Sequence, residues 1–136
     1  MKNCATKEQV FYRCPICGNI FGVIENSQVV PVCCGQPMHC MTPGETDGAH
    51  EKHLPTVETD GNKLTVHVGS VPHPMSPEHW IQWIYLHTNQ GGYRAILKPD
   101  DPPQTVFTLR ENEIPLAVYC YCNIHGLWTT DIPQHC

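Results

Sequence analysis

Beyond residue 50 the chain alternates short apolar runs with turn residues, and that rhythm predicts strands over 54–59, 63–68, 80–88, 93–97, 104–109, 116–121 and 127–130. The breaks between them are Asp60-Gly61-Asn62, Asn89-Gln90-Gly91-Gly92 and Pro99-Asp100-Asp101-Pro102-Pro103. Seven short strands at such intervals form the pattern of an antiparallel β-sandwich. Asp60-Gly61 is the clearest hairpin, since that dipeptide suits a turn with positive φ. Trp80, Ile81, Trp83, Ile84 and Tyr85 also fit a helical face, but aromatic and β-branched residues favour a strand. Nothing here demands a helix. These aromatics read as core, with Trp80 or Trp83 placed to shield a neighbouring site.

The first forty residues follow a different pattern. Cys14-Pro15-Ile16-Cys17-Gly18 is a C-x-x-C knuckle, followed by strand-like runs over 19–24 and 28–32 around a Glu25-Asn26-Ser27 turn, and then by Cys33-Cys34-Gly35. Too few apolar residues are present for a core, so a bound metal must supply much of the folding free energy. Neighbouring side chains alternate along an extended backbone, so Cys33 and Cys34 reach one ion only if the chain bends there. We expect a small metal domain over 1–40 and a second domain over 41–136, of which 41–50 is linker. The whole stretch from Met38 to His50 lacks periodicity and reads as connecting chain.

Composition narrows the class. Charged residues are 15% and hydrophobic ones 40% of the 136 residues, a globular balance. A net charge of −5 without a Lys/Arg cluster argues against a nucleic-acid partner. No run approaches the roughly 20 apolar residues of a membrane span, and Met1-Lys2-Asn3-Cys4 opens on a polar stretch, so a cytoplasmic protein without membrane association is expected. Nine cysteines and nine histidines exceed what packing requires. The odd cysteine count and pair spacing favour metal binding over a disulfide framework. Thirteen prolines, mostly between apolar runs, suit a loop-rich β protein.

Cys122-Asn123-Ile124-His125-Gly126 places a thiolate and an imidazole three residues apart in a segment closed by glycine. His53, His73 and His79 lie at or beside predicted strand ends, where loops gather at one edge of a sandwich. Four imidazoles and a thiolate outnumber the four donors of a closed zinc site, which favours iron with an open position and chemistry on a small oxygen species. Lys52 adds positive charge beside His53, and Glu51 can fill or hydrogen-bond at the opening, although on these two residues alone a solvated turn is the preferred reading. His39, His50, His67, His87 and His135 read as ordinary histidines, most firmly His67, which is mid-strand. Cys14, Cys17, Cys33 and Cys34 form a four-thiolate set for which spacing alone makes zinc the first guess, with iron as the alternative. An electron carrier with two irons, or a module with two structural zincs, remains open on the residues alone.

Cys14-x-x-Cys17-Gly-Asn with Cys33-Cys34-Gly-x-Pro-Met resembles the desulforedoxin-type domain of the desulfoferrodoxin family, the two-centre superoxide reductases. Glu51-Lys52-His53, Gly69-Ser70-Val71-Pro72-His73-Pro74-Met75 with His79-Trp80-Ile81-x-Trp83-Ile84, and Cys122-Asn123-Ile124-His125-Gly126 resemble the motifs of its catalytic domain. The resemblance covers almost the whole chain. It implies an all-β protein: a small desulforedoxin/rubredoxin-like domain followed by an immunoglobulin-like antiparallel sandwich. It also implies two iron ions per chain, one on Cys14, Cys17, Cys33 and Cys34. The other would sit on His53, His73, His79 and His125 in a plane with Cys122 axial. The implied reaction is one-electron reduction of superoxide to hydrogen peroxide without dioxygen release. Lys52 matches the position that attracts the oxygen species, and Glu51 the carboxylate that ligates the ferric resting form. Rubredoxin or a similar carrier as donor, a homodimer and a cytoplasmic setting are implied with it. Cys4, Cys40, Cys120 and Cys136 receive no role. Cys120 shares a strand face with Cys122, but the register of the motif assigns the ligand to Cys122.

Overall fold

The computed structural model describes residues 8–46 and 48–133, so Cys4, His135 and Cys136 lie outside the described residues. The backbone divides into two compact units, one spanning Glu8–Thr42 and the other beginning at Pro43.

The small unit holds β1 (Phe11–Arg13), β2 (Ile20–Gly22), β3 (Val32–Cys33), β4 (Gln36–Pro37) and β5 (His39–Cys40). Strands β2, β1 and β5 make one antiparallel sheet, and β3 and β4 form a hairpin. Its core is Tyr12, Cys14 and Met38, flanked by Val10, Val23 and Cys33. The strand expected over 28–32 shrinks to Val32–Cys33. Gln28 takes a φ of 69° and its N–H donates to the Asn26 side chain, while Pro31 has no N–H to give a ladder. In the other direction, the linker expected from Met38 onward starts later. His39 and Cys40 pair with Arg13 and Tyr12, and the Met41 N–H donates to the Phe11 carbonyl. Two-residue strands lie below any sequence period, which is why this edge is invisible in the pattern.

The larger unit opens with α1 (His50–His53), followed by β6 (Pro55–Asp60), β7 (Lys63–Val68), β8 (Ile81–Thr88), β9 (Gly91–Ile96), β10 (Gln104–Thr108), β11 (Pro115–Cys122) and β12 (Gly126–Asp131). Two antiparallel sheets, ordered β10-β7-β6 and β12-β11-β8-β9, enclose the core. On β7 the inward Leu64, Val66 and Val68 alternate with Lys63, Thr65 and His67, the period of a half-buried strand. Ile81, Ile84, Leu86, Val118, Cys120, Cys122 and Trp128 belong to the same core. In the β6–β7 hairpin the positive φ falls on Gly61, at +60°. The helix α1 corrects the helix-free expectation. It is one turn long, because Leu54 precedes Pro55 and is held extended at φ −71°, ψ 122°. A single turn cannot register as an apolar period.

Candidate metal centres

Four elements deliver the histidine-rich cluster. His53 ends α1 and is 2% exposed. Its Nδ1 lies 2.7 Å from the Ala49 carbonyl, so the proton sits there and Nε2 carries a free lone pair. His73 is fixed the same way, with Nδ1 2.6 Å from the Pro74 carbonyl. The two Nε2 atoms then face each other at 3.1 Å, and His125 Nδ1 stands 3.1 Å from His53 Nε2. The donor atoms of His53, His79, Cys122 and His125 all lie within 4.8 Å of one another. His73 borders that set, its ring 4.6 Å from His53 and 4.7 Å from His79. The Nε2 of His79 is buried without a hydrogen-bond partner. Opposed lone pairs and an orphaned buried nitrogen are unfavourable as they stand, and a cation between them removes both costs. The donor set fits a metal ion.

Burial lowers the pKa of His53 and His79, and takes that of His73 down to about 4. The Lys52 charge adds to the effect at His53 and His79, so Lys52 lies within electrostatic reach of both rings. All three imidazoles are therefore neutral donors at pH 7, as metal ligation requires. Burial raises the Cys122 thiol, offset in part by the backbone N–H groups of His125 and Ile124 directed at its sulfur.

Cys122 closes β11. Opposite it β8 carries an irregularity, with Tyr121 paired to Trp83 and Cys122 to Ile81, so the ladder skips Gln82. Such bulges re-aim side chains at strand ends. Asn123 then staples the next segment. Its Oδ1 accepts from the Trp80 N–H at 3.0 Å and its Nδ2 donates to the Glu78 carbonyl at 2.9 Å, which holds His79 over the cluster. The side chains of Glu51 and Lys52 are exposed on α1. Their backbone is held by the Val71 N–H and the Ser70 hydroxyl, both donating to the Glu51 carbonyl. Gly69 permits that approach, because at φ +84° a Cβ would lie 2.4 Å from the Val71 carbonyl and 2.8 Å from that of Lys52.

A third aromatic, Trp128, makes the ring contact with the cluster. Trp83 stacks on Tyr121 at 5.5 Å, whereas the fully buried Trp128 stacks on His53 at 4.9 Å and 24°. The Trp128 indole N–H also donates to the His125 carbonyl at 3.1 Å. A signal for Trp128 existed: pairing β12 with β11 outward from Gly126 puts Trp128 opposite Cys120, on the inward face. Cys120 is buried, and its thiol donates to the His53 carbonyl at 3.2 Å instead of entering the donor set. Burial raises its pKa, keeping it a thiol.

In the small unit the sulfurs of Cys14, Cys17, Cys33 and Cys34 lie within 4.8 Å of one another, with Cys17 and Cys33 at 3.7 Å. The bend expected at Cys33-Cys34 is a two-residue hairpin turn in which Cys34 and Gly35 have φ of 53° and 74°. Positive φ at both central positions turns Cys34 back beside Cys33. The Cys17 N–H lies 3.4 Å from the Cys14 sulfur and takes that thiol down to about 6. Hydrogen bonding to Cys17, then to Cys14 and Cys33, pushes Cys34 up to about 12. Crowded sulfurs that cannot all ionise together are the electrostatic setting that a cation relieves. Cys40 is exposed and outside this group.

The desulfoferrodoxin family model matches residues 45–131, and the model for the desulfoferrodoxin N-terminal domain matches residues 5–41. A desulfoferrodoxin homolog of Archaeoglobus fulgidus is 44% identical over 123 residues, 90% of this chain and 97% of that protein. The desulfoferrodoxin of Nitratidesulfovibrio vulgaris is 42% identical over 120 residues, 88% of this chain and 94% of its own. The crystal structure of the superoxide reductase from Treponema pallidum superposes with a TM-score of 0.77 at 34% identity, covering 91% of this chain and 99% of that one. With both family models matched in sequence order over nearly the whole chain, this protein belongs to the desulfoferrodoxin family.

Proposed function

We propose that the chain is a superoxide reductase with two irons, built as a desulforedoxin-like domain over 1–40 and a catalytic domain over 41–136. Cys14, Cys17, Cys33 and Cys34 would hold one iron, and His53, His73, His79, His125 and Cys122 the other. The observation that carries the reading is the convergence of imidazoles and one thiol within a single cluster, including the partnerless Nε2 of His79. These residues would hold a ferrous ion whose chemistry would be one-electron reduction, so that superoxide with one electron and two protons would become hydrogen peroxide.

The chain's own residues supply the rest. Lys52 draws the anion toward the cluster against a net charge of −5. Glu51, beside it on α1, offers a carboxylate at the same rim. Trp128 and the buried sides of His53 and His73 keep bulk water off the cluster's inner side. Rubredoxin or a similar small carrier would return the electron, and a cytoplasmic homodimer is the expected form. No helix of the described residues is long and apolar enough to cross a membrane.

Metal analysis combined with rapid mixing of the reduced protein and superoxide tests the function. The expected result is two irons per chain and peroxide formed in stoichiometric amount without dioxygen. Lys52→Ala should slow the bimolecular step by about tenfold and weaken its salt dependence. Zinc at both sites, or iron that leaves superoxide unreduced, would overturn the proposal.

A further inference from the structure

The segment between Thr42 and α1 has no sequence period, yet its described residues engage the histidine cluster repeatedly. The Gly44 N–H donates to the Leu127 carbonyl at 2.8 Å, and the Thr46 hydroxyl donates to the His125 carbonyl. Gly48 is buried, and a Cβ there would stand 2.9 Å from Trp128 Cζ2, 3.0 Å from His125 Cβ and 3.0 Å from His53 Cε1. The Ala49 carbonyl accepts from His53 Nδ1, and the His50 ring meets Trp128 edge-on at 5.2 Å. A passive connector needs none of these contacts.

We propose that residues 44–46 and 48–50 form a strap that positions His53 and His125 toward their metal, with Thr46 and Gly48 as its positioning residues. This rests on the cluster holding iron. The His125 carbonyl receives two donors, the Thr46 hydroxyl and the Trp128 indole N–H, so the peptide that carries His125 is fixed on one edge. With that peptide fixed, Nδ1 stays aimed at the cluster. The Ala49 carbonyl sets the His53 tautomer and leaves Nε2 as the donor atom. Gly48 lets the strap lie this deep, since any side chain there would press on the indole stacked against His53.

The test uses the full iron-loaded chain, in which the four-cysteine centre is an internal standard. Thr46→Val, Thr46→Ser and Gly48→Ala are compared for the thiolate-to-iron absorption of the histidine centre and for the rate at which a chelator extracts its iron. Thr46→Val is expected to shift the band and speed extraction several-fold, with Thr46→Ser returning both toward wild type. Gly48→Ala should speed extraction at least tenfold while the four-cysteine absorption stays unchanged. Wild-type band positions and extraction rates in both Thr46→Val and Gly48→Ala would overturn the strap. So would a lowered melting temperature in Thr46→Val without a change in band or extraction. A wild-type chain that takes up no metal at the histidines would instead overturn the functional reading, and the strap with it.

Discussion

Replacing Trp128 by phenylalanine separates two tasks of one side chain. The indole is fully buried, stacks on His53 at 4.9 Å and donates to the His125 carbonyl at 3.1 Å. Phenylalanine keeps a ring that can stack but loses the donor. Because the Thr46 hydroxyl also donates to that carbonyl, the oxygen is not left bare. The loss is then the net value of one hydrogen bond, about 1 kcal/mol, and not a desolvation penalty. The missing ring atoms remove about 1 kcal/mol of apolar burial and leave a small cavity. Trp128→Phe should therefore destabilise the larger unit by about 2–3 kcal/mol, and Trp128→Ala by about 3–5 kcal/mol with loss of the stack. Urea unfolding of the iron-loaded chain reads this directly, since each unit carries its own iron–thiolate chromophore and the small unit serves as reference. If Trp128→Ala unfolded within about 0.5 kcal/mol of wild type with an unshifted band, Trp128 would not be propping the centre.

Cys122→Ser should abolish the thiolate absorption of the histidine centre, while Cys120→Ser keeps it, its hydroxyl replacing the thiol that donates to the His53 carbonyl. The reverse result in the visible spectrum would exchange their roles. Glu113 supplies the pH dependence. Burial raises its pKa, but hydrogen bonds from Thr88, Tyr93 and Arg110 outweigh burial and hold it at about 2. A carboxylate depressed on folding stabilises above its unfolded value, near 4.5, and that contribution fades as pH falls toward 2. Glu113→Gln should thus cost about 1–3 kcal/mol at pH 7 and flatten the acid limb of a stability-against-pH curve. Stripping metal from the four cysteines should unfold the sheet of β1, β2 and β5, whose buried core is Tyr12, Cys14 and Met38, as followed by far-ultraviolet circular dichroism.

The sequence showed what the side-chain types encode. Period-two alternation marked Leu64, Val66 and Val68, and the seven strands of the larger unit fall where apolar runs stand between turn residues. The histidines and cysteines announced themselves because few other residues bind metals. What stayed hidden is held by the backbone. His53 and His73 are oriented by the carbonyls of Ala49 and Pro74, and the Glu51-Lys52 segment by the Val71 N–H. A peptide carbonyl has no residue signature, so its role emerges only when the chain is folded. Gly48 and Gly69 are its nearest sequence trace, since each marks a place where a Cβ would collide with the ligand residues or the backbone that carries them. In a centre of this kind the ligands are written in rare residues, while their aim is written in glycines and in peptide groups that any residue supplies. Substitutions at Gly48 or Gly69 should accordingly disturb iron at the histidines while sparing iron at the four cysteines, and should do so at an unchanged melting temperature of the larger unit, since unfolding of that unit alone would give the same selectivity.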